Sequence, residues 1–393
     1  MVRDLLLSAL PLFRILVSSL QNSRWQEFKR VFRESLSAIG GQTGEHADSV
    51  LALPVPASAG SATMPPRLFQ LASGYWISQA IYVAAKLGIA DILKDAPKSA
   101  AEVALVTRAD EGAISRLLRA LCAVGVLLPN GEGRFSVAPM GRPLESGVPG
   151  SLRAMVITLG EIHYAAWAHL LHSVNTGTPG FPRAFGTRMF DYLQRDREAG
   201  NTFNHAMTDY AALSSCALLL SYDFSRIRSI VDVGGGCGKL LRNVLHMYPA
   251  MHGTLFDMPS VITAAQEELQ TDPCRERCTL HPGSFLEFVP TGADAYLMSS
   301  VIHDWDDGQA LRILTNCRSS MKKDGKVLLV EIVEREGQEA SFSRLLDLNM
   351  LVMNGGRERT ESEFRTLFDA AGLRMTRIIP TLSPLSVLEA TCK

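Results

Sequence analysis

Val231-Asp232-Val233-Gly234-Gly235-Gly236-Cys237-Gly238 closes a short apolar run and opens a helical stretch, Lys239 to Met247. A strand that breaks into closely spaced glycines and then a helix suits a cofactor loop. Glycine allows the tight turn and lets the backbone approach a ligand. Asp257 ends the next apolar run, GTLFD, where a carboxylate can accept ribose hydroxyls. The motif reads D-x-G-x-G-x-G rather than G-x-G-x-x-G, with no spare glycine where a pyrophosphate would meet the helix. That favours a cofactor without a pyrophosphate. A nicotinamide enzyme is the competing reading.

Outward from this loop the texture is α/β. From Ile230 the runs IVDV, GTLFD, AYLM and KVLLVE alternate with helical stretches, the signature of βα units in a parallel sheet. Ser299-Ser300-Val301-Ile302-His303-Asp304-Trp305-Asp306-Asp307 follows AYLM. His303 therefore falls just past the carboxyl end of a strand, where open α/β sheets place their ligands. A histidine there can serve as a general base near neutral pH, or it can be a loop residue that only orients backbone. Asp306 or Asp307 suits the cap of a helix starting near Gln309. Further on, Thr360 with Glu363 forms a capping box for a helix to Ala371. Glu358, just before that cap, is not needed by the helix and can orient or charge-stabilise a histidine. Glu331, ending KVLLVE, is a second candidate for the same work. Either can also be an ordinary surface carboxylate.

The amino-terminal part is different. Residues 1–66 read as an extension and linker: Leu5 to Leu20 is apolar but broken by Pro11 and Arg14, and residues 41–66 are rich in Gly, Ala, Ser and Pro. Over 67–150, Phe69, Trp76, Ile77, Ala80 and Ala84 recur at helix spacing. Ser99 and Glu102 mark a capping box, and Ile114, Leu117, Leu118, Leu121 and Val124 form an apolar stripe. VLLPNGEGRFSVAP then reads as a hairpin turning at Asn130-Gly131. This is a winged-helix pattern. Its third helix offers only Arg116 and Arg119 as cations, too few for a phosphate footprint, so an interaction or dimerisation scaffold is expected rather than nucleic-acid binding. Residues 151–222 are expected to be helical, with aromatic and methionine side chains (Tyr164, Trp167, Phe190, Phe203, Met207) suited to a core or an apolar pocket.

The bulk numbers agree. A chain of 393 residues suits two domains, and a net charge of −1 gives no case for nucleic acid or an anionic membrane. Seven cysteines, odd in number and irregularly spaced, argue for a reducing, cytoplasmic setting. Cys274, Cys278 and His281 look metal-like but lack a fourth ligand nearby. They read as a surface turn, and no metal is expected.

Taken together, VDVGGGCG, FDMP, LMSSVIHDWDD, KVLLVE and LNMLVMNGGRERTESEF with LFDAAGL resemble the plant caffeic-acid-type and animal acetylserotonin-type O-methyltransferases and their bacterial small-molecule relatives. The resemblance runs from about residue 68 to the end. It implies an α/β, Rossmann-like class I methyltransferase domain over 223–393, a seven-stranded sheet with an antiparallel edge strand at SVLEATC, and S-adenosylmethionine as cofactor. It also implies a winged-helix-like domain that makes a homodimer. By the match to HDW, His303 would take the proton from a substrate hydroxyl, flanked by Glu331 and Glu358. Asp232, Gly234, Gly236, Gly238, Asp257 and Met258 would hold the methionine and ribose parts of the cofactor. Ser284, Phe285 and Ser299 stand at its adenine-side positions. Met207, Met350 and Asn354 would line the acceptor pocket. Two positions depart from the plant pattern: Ser284 replaces an aspartate that contacts the adenine amine, and Ser299 replaces a lysine. The expected acceptor is a flat, hydrophobic, phenolic molecule. N- or C-methylation, a relative of the same fold that keeps the cofactor for another reaction, and a winged-helix small-molecule sensor are the alternatives.

Overall fold

The computed structural model describes residues 67–148, 150–334 and 342–393. The expectations for residues 1–66 lie outside the described residues. These divide into two compact units, one running to Tyr164 and one from Ala165 to Lys393.

In the first unit, α1 (Arg67–Ala72), α2 (Gly74–Lys86) and α3 (Ile89–Leu93) precede the two-residue β1 (Lys98–Ser99). Next come α4 (Ala100–Thr107), α5 (Glu111–Ala123), the hairpin β2 (Leu127–Asn130) and β3 (Arg134–Val137), and α6 (Arg153–Thr158). The Ser99–Glu102 capping box is formed in both directions, and Asp110 caps α5 through the N–H of Ala113. The stripe on α5 buries Ile114, Leu118 and Leu121 against Ala84, Ile89, Leu93 and Val103. The hairpin forms, but not with its turn at Asn130-Gly131. Asn130 still pairs with Arg134, and the reversal is made by Gly131, Glu132 and Gly133. Glu132 and Gly133 both take left-handed φ (65° and 70°), and glycine makes the second of these free of strain.

In the second unit, helices α7 (Leu170–Thr176), α8 (Phe181–Phe185), α9 (Met189–Arg195) and the long α10 (Arg197–Ser221) lead into the sheet. The strands are β4 (Ser229–Val233), β5 (His252–Asp257), β6 (Cys278–Pro282), β7 (Ala295–Ser299), β8 (Lys326–Glu334), the two-residue β9 (Arg359–Thr360), β10 (Leu373–Pro380) and β11 (Leu385–Cys392). Between them run α11 (Lys239–Met247), α12 (Pro259–Leu269), α13 (Asp307–Ser320), α14 (Phe342–Met353) and α15 (Glu361–Ala370).

Seven strands lie in the order β10-β11-β8-β7-β4-β5-β6, with β9 pairing β8 off this path. β4 through β8 are parallel, so their carboxyl ends share one edge, and both the glycine loop and the His303 segment emerge there. SVLEATC is antiparallel, as expected, but it is not the edge. As β11 it lies between β8 and β10, antiparallel to both, and β10 takes the edge. The inner position suits a strand whose residues 385–390 are all buried. Val231, Tyr296, Leu329, Ile313, Phe364 and Phe368 meet in the core beneath the carboxyl edge.

Candidate active site

The glycine loop follows β4 directly. Gly234, Gly236 and Gly238 all take left-handed φ (71°, 59° and 75°). A Cβ on Gly234 would press on Val301 and Phe285, whereas a Cβ on Gly236 would meet nothing within 4 Å. Gly236 thus faces open space, and its N–H donates to Asp257 Oδ2 (2.8 Å). Asp257 Oδ1 accepts from the Met258 N–H (2.7 Å), so the carboxylate at the end of β5 is fixed by backbone on both oxygens. Asp232 lies beneath the loop against Gly235, its Oδ2 buried without a hydrogen-bond partner. Burial, aided by the charge of Asp257, pushes its carboxyl up to about 7. Burial also raises Asp257, partly offset by the two N–H donors. A glycine cradle open to ligand, with a carboxylate at the second strand end, fits a nucleoside cofactor that brings a positive charge.

Phe285 and Trp305 stack edge to face at 5.5 Å beside this loop, and Phe190 lies over Trp305 at 5.9 Å. Ser284 begins the turn after β6, its carbonyl accepting from Glu287 and Phe288. Ser299 ends β7 in register with Val330.

The sequence around His303 forms a single 3-10 turn, Ile302–Asp304, at the carboxyl edge of β7. The structure brings His303, Glu331 and Glu358 together. Nδ1 of His303 is 2.8 Å from Glu358 Oε1 and 3.9 Å from Glu331 Oε2. Glu331 does a second job: its Oε1 accepts the N–H groups of Val301 (3.0 Å) and Ile302 (2.8 Å). Oε2 of Glu331 and Oε2 of Glu358 are both buried without hydrogen-bond partners. Burial alone would lower the His303 imidazole. The charge of Glu331, the hydrogen bond with Glu358 and the charge of Asp304 outweigh it and raise His303 to about 10. Glu331 is itself pushed up to about 7 by burial, with the His303 charge opposing.

Of the residues expected to line an acceptor pocket, Asn354 reaches the cluster: its Nδ2 donates to Asp304 Oδ1 (2.8 Å), and that oxygen is 4.0 Å from His303 Nε2. Met350 is buried one turn earlier at the end of α14. Met207 lies on α10, half-buried.

Sequence reasoning missed several neighbours. Asp304 was visible in the motif but held no role. Tyr210, one turn beyond Met207, has its hydroxyl raised by burial, lowered by Ser300 and raised by the charges of Glu331 and Glu358. Ser300, beside that hydroxyl, has a left-handed φ of 53°. Arg359 is 1% exposed, a buried cation that stands within the GRERT run but is given no role by it. Cys278 and His281 do not join Cys274 in a ligand set. Cys274 is buried rather than on a surface turn, and its ligand-bearing neighbours are His246 and Asp272. Asp272 accepts from the Cys274 N–H and pairs with His246 and Arg242, so it already serves as a hydrogen-bonding hub.

A glycine cradle and a carboxylate-held histidine on the carboxyl edge of a seven-stranded sheet define a class I methyltransferase. The chain belongs to the O-methyltransferase family: the O-methyltransferase domain model matches residues 167–374, and the O-methyltransferase dimerisation domain model matches 69–145. It is 43% identical to a phenazine O-methyltransferase of Lysobacter antibioticus over 84% of this chain and 97% of that one. A phenazine-1-carboxylate N-methyltransferase of Pseudomonas aeruginosa is 34% identical over 79% of this chain and 92% of its own. The crystal structure of human N-acetylserotonin methyltransferase with S-adenosylmethionine superposes with a TM-score of 0.78 at 26% identity, covering 85% of this chain and 99% of that one. The cofactor is accordingly S-adenosylmethionine, and the enzyme is an S-adenosylmethionine-dependent O-methyltransferase. Among the described residues no helix is long and apolar enough to cross a membrane.

Proposed function

We propose that the enzyme transfers a methyl group to a phenolic hydroxyl of a small aromatic metabolite, with His303 as general base. The observation that carries this reading is the 2.8 Å contact between His303 Nδ1 and the buried Glu358 carboxylate. It commits the Nδ1 proton to Glu358, so that Nε2 is the nitrogen that gives up the imidazolium proton and, once neutral, faces a hydroxyl. The bound cofactor supplies an electrophilic methyl on a cationic sulfur. A phenol has a pKa near ~10, so it needs its proton removed as attack proceeds. Nε2 receives that proton, and Glu358 and Glu331 stabilise the resulting imidazolium, a contribution of roughly 10²- to 10⁴-fold. The cradle of Gly234, Gly236 and Gly238 with Asp257 and Met258 holds the methionine and ribose parts of the cofactor. Asp232 supports the loop from below, and Ser284, Phe285 and Ser299 frame the adenine side. Met207, Met350 and Asn354 line the acceptor pocket. Two relatives support the substrate class: a phenazine O-methyltransferase and an N-acetylserotonin methyltransferase.

The amino-terminal domain makes a homodimer in this reading. Its family assignment and the exposed Leu68, Phe69, Leu71, Tyr75 and Trp76 support that. Arg116 and Arg119 on α5 are too few cations for nucleic acid, and Arg119 Nε is tied to the Ser115 carbonyl. Seven free cysteines favour the cytoplasm. N-methylation is the second reading, favoured by the relative that methylates a phenazine nitrogen. The deciding experiment is His303→Ala. Turnover nearly abolished with S-adenosylhomocysteine affinity retained supports the general base, while turnover retained points to a nitrogen acceptor that needs none.

A further inference from the structure

The turn that carries His303 is gripped on one side by Glu331, which accepts its N–H groups. On the other side the carbonyls of Ile302, His303 and Trp305 accept hydrogen bonds from one segment, residues 357–359. The His303 carbonyl accepts the Arg357 N–H (2.8 Å). The Ile302 carbonyl accepts from Arg359 Nη1 (3.0 Å), and the Trp305 carbonyl accepts from Arg359 Nη2 (2.8 Å). Between these two arginines stands Glu358, whose carboxylate meets the imidazole. The close fit is enforced at Gly356, where a Cβ would lie 2.0 Å from the His303 carbonyl oxygen. Arg359 is anchored outward as well: Nε and Nη2 donate to Asp307 Oδ1 (3.0 and 2.8 Å), and Asp307 is 64% exposed on its side chain.

We propose that Arg359 is a positioning residue for His303: its guanidinium clamps the carbonyls on either side of the histidine and so sets the angle at which the imidazole meets Glu358. The proposal rests on His303 being the base. The physical case is that the planar fork meets two carbonyls and a carboxylate from three separate nitrogens in fixed geometry, whereas a lysine offers its donors from a single nitrogen. A buried cation is costly, and one whose hydrogen bonds converge on the histidine turn is placed where that cost holds a geometry. Arg359 touches the turn and not the open side of the ring, so its influence passes through His303.

The test uses the full chain with labelled histidine, Arg359→Lys and Asp307→Asn. Asp307→Asn leaves the arginine in place and changes an exposed site, so it folds even if Arg359→Lys does not. Three quantities are read: calorimetric affinity for S-adenosylhomocysteine, the nitrogen-coupled proton signal of His303 Nδ1, and kcat and KM for a phenol that the wild type methylates. The expected result for Arg359→Lys is affinity within about twofold, a displaced or exchange-broadened His303 signal, and kcat lowered about 10²-fold at unchanged KM. Asp307→Asn shifts the same signal in the same direction, by less. An unshifted His303 signal in both variants overturns the proposal, as does a loss confined to thermal stability or cofactor affinity. If the wild type methylates no phenol, the base reading fails on its own, and the His303 signal still decides whether Arg359 sets the ring.

Discussion

At the scale of single residues, the proton count around His303 decides behaviour. Three carboxylates surround one imidazole: Glu358 at 2.8 Å, Glu331 at 3.9 Å and Asp304 at 4.0 Å. The resting imidazole, raised to about 10, is therefore protonated at neutral pH, and the base becomes available only as that proton leaves. Turnover is expected to climb with pH along an acid limb reaching toward about 10, and a profile already flat from pH 6 would contradict the cluster. The same shift has a consequence for stability. A folded pKa above the ordinary 6.5 stabilises the fold fully below about 6.5, and that stabilisation is lost as pH rises through about 10. Glu331, raised from 4.5 to about 7, adds stabilisation below about 4.5 that disappears as pH rises through about 7. Thermal melts from pH 6 to 10 should fall more steeply for the wild type than for His303→Gln. Parallel curves would mean that the histidine does not carry the extra proton.

Gly236 offers a cleaner residue test. Its φ of 59° is left-handed, yet a Cβ there would strike nothing within 4 Å. Gly236→Ala should cost only ~1–2 kcal/mol of stability from the backbone. Because the open space is the cofactor's in this reading, S-adenosylhomocysteine affinity should fall by about tenfold or more. Unchanged affinity in titration calorimetry would move the cofactor away from this loop.

At the scale of elements, what the sequence made legible was local. The α11 helix begins and ends at Lys239 and Met247 as its glycine and periodicity indicate, and Asp306 and Thr360 cap α13 and α15 through the N–H groups of Gln309 and Glu363. Such signals are legible because cap, donor and periodic face lie within a few residues of one another. Pairing between distant segments was not. SVLEATC carries the alternation of a strand, but nothing within it says that β10 will cover its outer side. The hairpin turn moved because cross-strand pairing of Asn130 with Arg134 outweighed the Asn-Gly preference. Arg359 escaped notice because its partners, Ile302, Trp305 and Asp307, are more than fifty residues away in the chain. The element-scale prediction follows from Gly356, where the segment before α15 meets the His303 turn. Gly356→Ala must push that segment away, so the variant should bind S-adenosylhomocysteine normally while kcat drops about 10²-fold. Equal turnover would mean that the turn and the segment move together without consequence.

At the scale of the whole molecule, each unit has its own buried core, one built around Leu118 and Leu121 and the other around Tyr296, Leu329 and Phe364. The residues proposed to hold the cofactor all lie in the second unit. A ligand that binds only the folded form adds ~2.7 kcal/mol at a hundredfold excess over its dissociation constant. For a unit of this size each kcal/mol moves the midpoint by roughly 2–4 °C. S-adenosylhomocysteine at that excess should therefore raise the transition of the second unit by ~5–10 °C in scanning calorimetry. A nicotinamide dinucleotide at the same concentration should not, because the G-x-G-x-x-G loop that binds it calls for a third glycine inside the helix, where α11 carries Lys239 or Leu241. Equal shifts from the two ligands would show that the loop does not discriminate by phosphate, and the role given to its glycine spacing would have to be abandoned.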